Sequence, residues 1–200
     1  GEDLKLGPLK DSPLARAWKR AMAGETLLGD IAPFAPLDGR PAAFAAAPLR
    51  NDAGEIRGVA ILRAPLSEVG GLMEGQGGLG PGQDAYLVGP DKLMRSDSRT
   101  EPQGHSLAAS LADPTRGAVT APAALAALAG ESGAAVLPGL AGRPVLTAFD
   151  PAPLGSTRCA LVTGLALDQA MAPVHRLRIA ALLLVAGTAA LVAVACLLFL

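Results

Sequence analysis

The residues best equipped for chemistry in this 200-residue chain crowd into one stretch, Tyr86–Arg99, which reads "YLVGPDKLMRSDSR". It sets two arginines, two aspartates and two serines around a Gly-Pro-Asp turn. Nucleophilic catalysis needs a serine beside a base, and no His, Cys or Lys stands in a recognisable relation to Ser96 or Ser98. A phosphate clamp needs a glycine-rich turn opening a helix, whereas this motif reads as a strand end entering a loop. Two uses stay open. Asp97 and Ser98 can hydrogen-bond loop backbone while the arginines pair with Asp97 or Asp91, or Arg95 and Asp97 contact a ligand.

Other conspicuous side chains are few, because aromatics make up only 3% of the chain. Asp30 and Phe34, in "GDIAPFAP", put a carboxylate beside an aromatic at a strand end, which suits a small-molecule pocket, although Asp30 serves equally as a turn residue. Phe44 and Tyr86 are rare bulky anchors in a body built from Ala, Val and Leu. The candidate ligand contacts are therefore Asp30, Phe34, Phe44, Tyr86, Arg95 and Asp97, and no residue is a candidate for catalysis. Trp18 reads as a core filler ahead of a pocket wall. His105 and His175 are isolated and no Cys/His group has zinc spacing, so neither metal nor cofactor is expected. A net charge of −1 gives no reason to expect nucleic acid, whose binders show a basic patch or stripe.

The elements that must position these residues come as two similar halves. "GRPAAFAAAPL" (Gly39–Leu49) matches "GRPVLTAFDPAPL" (Gly142–Leu154), and each is followed by a turn and a second apolar run, "GVAILRAPL" or "CALVTGLAL". Each half thus predicts a hairpin, with "RNDAGEI" and "APLGSTR" as the turns. Ser67 and Asp168 are expected helix caps after the hairpins, and Ser12 before Pro13 caps a helix over Lys10–Ala23. "GQGGLGPGQD" (Gly75–Asp84) precedes a strand instead of following one, so it reads as a linker and not as a dinucleotide loop. Strands are expected at 84–88, 92–96, 134–137, 145–149 and 159–167, with helical patches at 106–112 and 122–129. Strand pair, helical connection and three antiparallel strands is a PAS-like order, of which the first half holds only the later portion.

Ile179–Leu200, "IAALLLVAGTAALVAVACLLFL", carries no charge. At about 1.5 Å per residue it makes a helix of roughly 33 Å, enough to cross a hydrocarbon core of about 30 Å. A transmembrane helix is expected there, with the lipid bilayer as partner. Cys196 lies in that span and Cys159 in the body, so no bridge between them is expected. His175, Arg176 and Arg178 precede the span and by themselves would call that side cytoplasmic. The chain starts without Met or signal peptide and stops at the helix, so a longer parent protein is expected.

With these residues in view, the chain resembles the double Cache (tandem PAS-like) sensor domains of bacterial chemoreceptors, sensor histidine kinases and nucleotide cyclases. Gly78, Gly80 and Gly82 before "YLVG", and Leu93–Arg99 after the turn, fit that family's membrane-proximal module, while "DIAPFAPLDGRPAAFAAAPL" resembles the end of its membrane-distal one. Gln83 replaces the usual acidic residue after the last linker glycine, and no complete amino-acid-binding signature is present. The resemblance implies an α/β (α+β) fold of PAS-like Cache modules with antiparallel sheets, followed by a C-terminal transmembrane helix. The implied division is a partial distal module (1–75), a proximal module (76–168), a connector (169–178) and the span (179–200). It also implies a homodimer in the cell inner membrane, with residues before about 178 in the periplasm, against the charge argument. The implied function is ligand sensing for a methyl-accepting chemotaxis protein, or alternatively for a histidine kinase or cyclase, with a small molecule as ligand and no enzymatic activity in this segment.

Overall fold

The computed structural model describes residues 3–66, 80 and 82–198, and within 172–176 and 190–198 only the backbone. The expected cap Ser67 and the glycines before Gly80 lie outside these residues. Two antiparallel sheets of four strands carry the fold, so the α/β class with PAS-like antiparallel sheets expected from the sequence is what the chain adopts.

The first half opens with helix α1 (Pro13–Met22), started as expected by the Ser12 side chain accepting from the Ala15 amide, with Pro13 at its first position. Short strands β1 (Leu27–Leu28) and β2 (Ala32–Pro33) pair with one side of β3 (Pro41–Arg50), and β4 (Ile56–Ala64) pairs with the other. The β3–β4 turn is the predicted one. Asn51 Oδ1 accepts from the Ala53 and Glu55 amides, and Gly54 takes the positive φ of 80° that the turn requires. Ala17 and Ala21 of α1 pack on Leu27, Ala42 and Ala46, with Phe34 and Phe44 edge to face at 5.1 Å in the middle. Alanine at the contact positions lets helix and sheet approach closely. Trp18 is only half-buried, with the Lys5 ammonium 5.6 Å from its ring centroid, so it is not the core filler expected.

The second sheet runs in the order β5 (Gln83–Val88), β8 (Thr157–Ala166), β7 (Pro144–Leu154), β6 (Gly133–Pro138). Between β5 and β6 lie α2 (Leu107–Ala112), capped by Ser106, and α3 (Pro122–Leu128). Ala123, Ala124 and Ala127 of α3 join Tyr86, Val88, Met94 and Val162 in the core. The strand expected at 92–96 is reduced to a single bridge, Met94 to Val88. Two backbone bonds flank that bridge, Arg95 N–H to the Leu87 carbonyl and Gly89 N–H to the Leu93 carbonyl, and the ladder stops where Ser96 Oγ takes the Leu87 amide; on the other edge Ser110 Oγ takes the Met94 amide. Ser110 in turn donates to the Gly117 carbonyl at 2.8 Å. That approach needs glycine, because a Cβ on Gly117 would sit 2.4 Å from Ser110 Cα.

β8 passes directly into helix α4 (Leu167–Leu198). Asp168, expected as its cap, lies inside its first turn and bonds the Gln169 amide. Leu177, Ile179 and Leu182–Val185 along α4 are all exposed. Among the described residues no helix is long and apolar enough to cross a membrane, and the side chains of the later half of the expected span, residues 190–200, lie outside the described ones.

The tip of the β7–β8 hairpin docks on the first half. Ser156 N–H donates to the Leu28 carbonyl (3.0 Å) and Arg20 donates to Ser156 Oγ (2.8 Å). Gly155 has φ +60°, and a Cβ there would lie 2.5 Å from the Leu28 oxygen, whereas Gly142 (φ +73°) has nothing within 4 Å. Gly142→Ala is therefore expected to cost about 1 kcal/mol in urea unfolding of the full chain, the cost of a left-handed alanine, and Gly155→Ala at least about twice that. Equal costs for the two variants would show that the docked tip contributes nothing.

Candidate functional site

Two constellations collect the polar side chains. The first explains the "YLVGPDKLMRSDSR" motif. The Arg95 guanidinium is 2% exposed. Its Nε and Nη2 donate to the two oxygens of Asp30 (2.8 and 2.7 Å), Nη2 also donates to Asp91 (2.9 Å), and Nη1 donates to the Leu93 carbonyl (3.2 Å). Burial alone would lower the pKa of this guanidinium, but its hydrogen bonds to Asp30 and Asp91 and the charges of both carboxylates outweigh that and hold it above the ordinary arginine range. Gly89 supplies the room, since a Cβ there would lie 2.4 Å from the guanidinium carbon. The pairing of an arginine with Asp91 is one of those expected from the sequence; the pairing with Asp30 spans 65 positions and joins the first sheet to the second.

The rest of the motif is equally engaged. Asp97 accepts from the Leu107 amide at the start of α2 (2.7 Å). Ser98 and Thr100 donate to the buried Asp84 carboxylate, which also takes the Arg99 amide at 3.0 Å. Ser96 and Ser98 therefore spend their hydroxyls on the fold, and the motif presents no activated nucleophile.

The second constellation is a cavity of about 660 Å³ on the helix-bearing face of the second sheet, within the usual range for small-molecule sites. Strand alternation builds its floor. Asp84 and Tyr86 point to one face of β5, and the register sets them beside Gly164 and Val162 of β8, then Thr147 and Phe149 of β7. Gly164 keeps the floor low, because a Cβ there would press on Val145 at 2.8 Å. Glu101, Leu140 and Arg143 form one wall, and Leu167, Asp168 and Gln169, the first turn of α4, form another. Burial pushes the Tyr86 phenol above its ordinary pKa, and the Asp84 carboxylate pushes it further, so it stays protonated.

Of the six candidate contacts, only Tyr86 lines this cavity. Asp30 and Arg95 are brought together, but in the ion network. Phe34 and Phe44 are core of the first sheet, and Asp97 caps α2. Asp84, Thr147, Glu101 and Gln169 line the cavity without being among the six candidates, and Asp168, expected only as a helix cap, lines it too. The alternation Asp84-x-Tyr86 was the available signal, a carboxylate and a phenol on one strand face. Among the described residues no group of three or more His, Cys, Asp or Glu is placed to hold a metal ion.

No protein-family model matches the chain, and no curated protein sequence does. Solved structures do. The ligand-binding domain of the Pseudomonas aeruginosa amino acid chemoreceptor PctB, in complex with L-Arg, superposes with TM-score 0.54 at 20% identity, over 90% of this chain and 64% of that one. The periplasmic sensory domain of the Campylobacter jejuni chemoreceptor Tlp1 does so with TM-score 0.51 at 16% identity, over 81% of this chain and 55% of that one. The ligand-binding domain of the Pseudomonas fluorescens chemoreceptor CtaA, in complex with L-isoleucine, gives 0.50 at 16%, over 86% and 63%. The chain thus spans 55 to 64% of the length of these domains. Its fold is that of chemoreceptor sensor domains, as the resemblance to tandem Cache modules implied.

Removing a charge from the ion network exposes its worth. Arg95→Met leaves two carboxylates facing each other with no cation between them, and is expected to cost about 2–4 kcal/mol in urea unfolding. Arg95→Lys is expected to recover less than half of that, because one ammonium cannot span both Asp30 oxygens, Asp91 and the Leu93 carbonyl. Full recovery by lysine would show that charge alone holds the network.

Proposed function

We propose that this chain is the extracytoplasmic ligand-sensing segment of a transmembrane signalling receptor of the methyl-accepting chemotaxis type. One observation carries the reading: the first turn of α4 walls the cavity, so whatever fills the cavity touches the helix that leaves the domain. The chemoreceptor fold supports it. The exposed apolar shaft at Leu177, Ile179 and Leu182–Val185 supports lipid contact for α4, since a soluble surface rarely carries so continuous an apolar patch. In this reading the two sheets lie in the periplasm, the chain works as a homodimer and α4 enters the inner membrane.

The mechanism is a shift of population. A small molecule that binds one placement of α4 better than another moves the equilibrium by that difference in affinity and by no more. Coupling of about 1–3 kcal/mol is typical of such devices. Tyr86 and Thr147 fix the floor against which a ligand presses, Gly82 keeps the strand-to-helix junction close, and Gln169 rests on it: a Cβ on Gly82 would lie 2.2 Å from the Gln169 amide.

A chimera joining the full chain, through α4, to the signalling portion of a chemoreceptor tests the proposal in cells lacking other receptors. A set of small metabolites is expected to contain at least one that changes swimming bias. Leu140→Trp, which fills the cavity from its partly buried rim, is expected to abolish that response while leaving the urea midpoint within about 0.5 kcal/mol of the parent. A response that survives the filled cavity, or no response to any compound, would sink the reading.

A further inference from the structure

β6 is an edge of the second sheet, and it lacks what usually guards such an edge. Natural sheets protect a terminal strand with charges, a bulge, an internal proline or a covering segment. At the other end of this sheet the Met94 bridge lies along β5. In the first sheet the edge strand β4 carries Arg57 and Arg63, both exposed. β6 reads "GAAVLP", with no charge and its one proline at the last position. Among the described residues it pairs with β7 alone, and Ala134, Ala135 and Val136 are all exposed.

The hairpin register identifies the backbone groups left unmet. Gly139 N–H donates to the Arg143 carbonyl at 2.9 Å and closes the β6–β7 turn. Bonded and non-bonded pairs alternate from there, so Leu137, Ala135 and Gly133 bond β7. The N–H and C=O of Ala134 and Val136 therefore point away from the sheet. A second β6, run antiparallel about a twofold axis at Ala135, meets them all. Ala134 and Val136 of one copy exchange bonds with Val136 and Ala134 of the other, and Ala135 faces itself.

Charge and apolar surface agree with that register. It sets Glu131, exposed just ahead of β6, across from Gly139 of the second copy, and Arg143 stands beside that glycine. The Arg143 side chain is 80% exposed, and no side chain on Gly139 blocks its way to the incoming carboxylate. Symmetry makes the same contact twice. On the outer face Val136 (51% exposed) lies beside Leu146 (44%), an apolar strip that Ala134 and Val136 of the second copy continue. The axis stands perpendicular to the sheet, so both cavities stay on one side of the joined sheet.

We infer that β6 is a self-association edge: two copies of this chain join through antiparallel β6 strands, centred on Ala135, into one continuous sheet. The contact is small and belongs to the weak, transient class. It gives the homodimer of the proposed receptor a surface and draws nothing from the ligand site.

Oxidative cross-linking of the full chain in detergent tests this, in a Cys196→Ala background that leaves the fully buried Cys159 as the one natural thiol. Ala135→Cys is expected to form an intermolecular disulfide, because directly opposed residues in a non-bonded pair sit about 4.5 Å apart, within disulfide reach. Ser132→Cys is expected to react at least about tenfold more slowly, since this register puts it roughly 20 Å from its own copy. Val136→Pro, added to Ala135→Cys, removes an outward N–H while sparing the β6–β7 ladder, and is expected to slow the reaction about tenfold. Glu131→Arg, which sets like charges together, is expected to slow it about threefold. Circular dichroism checks that each variant folds. No disulfide from Ala135→Cys, an equal rate from Ser132→Cys, or a rate untouched by Val136→Pro or by Glu131→Arg would overturn the inference. The sensor proposal fails by a different result, a chimera that ignores the filled cavity.

Discussion

The buried guanidinium of Arg95 is the constraint on which the two-sheet arrangement depends. Taking that charge out of water costs several kcal/mol, and the cost is met only while Asp30 and Asp91 both face it. Asp30 follows β1 in the first sheet, and Arg95 leaves the edge of β5 in the second. The pair is therefore satisfied in one relative placement of the halves and unsatisfied in others. Nearby, the Gly155–Ser156 tip bonds the Leu28 carbonyl, so the segment from Leu28 to Asp30 is gripped from two sides. Hydrophobic packing lies within each half, in two separate clusters; the ion network is what fixes one half against the other.

Each half repeats one unit. A helix opening on proline, α1 or α3, is followed five positions later by a short pairing strand and then a long hairpin, β3–β4 or β7–β8. The second sheet adds β5 on the outer side of its last strand; among the described residues the first sheet has no counterpart. That added strand changes what the repeat can do. β5 brings Asp84 and Tyr86 beside β8, and with them the loop through Thr100, so a cavity with polar walls forms in the second half. In the first half Phe34 and Phe44 are buried in the core.

Local chemistry was legible and non-local pairing was not. Ser12-Pro13, the "RNDAGEI" turn and both hairpins follow from capping, turn residues and alternation, all of which act within a few positions. Asp30 with Arg95 spans 65 positions, and nothing in the spacing announces it. The 92–96 strand is cut short for the converse reason: its alternation is sound, but the Ser96 side chain takes the Leu87 amide that the next ladder bond would use. Phe34 and Phe44 have the residue type of a pocket and the position of a core, a distinction that only burial makes. Asp84 is not legible as a polar hub, because its partners Ser98 and Thr100 approach it only through the folded loop.

The ion network and the cavity sit at opposite ends of the β5–β8 pair, and that separation bears on how a signal travels. Gly89 and Arg95 lie beyond Val88, next to Ala160; Gly82 and Asp84 lie at the other end, next to Leu165 and Gly164. About five residues at 3.3 Å each put some 17 Å between them. The pinned end is fixed to the first sheet. At the cavity end a backbone bond spans the strand-to-helix junction, Ala166 N–H to the Gly82 carbonyl, at 3.3 Å, which is long for such a bond. A lever fixed at one end moves most at the other. In the proposed sensor, a ligand pressing on Leu167, Asp168 and Gln169 would work against that long bond on one side and a charged, buried pin on the other, so its displacement would pass into α4 and not back into the first sheet.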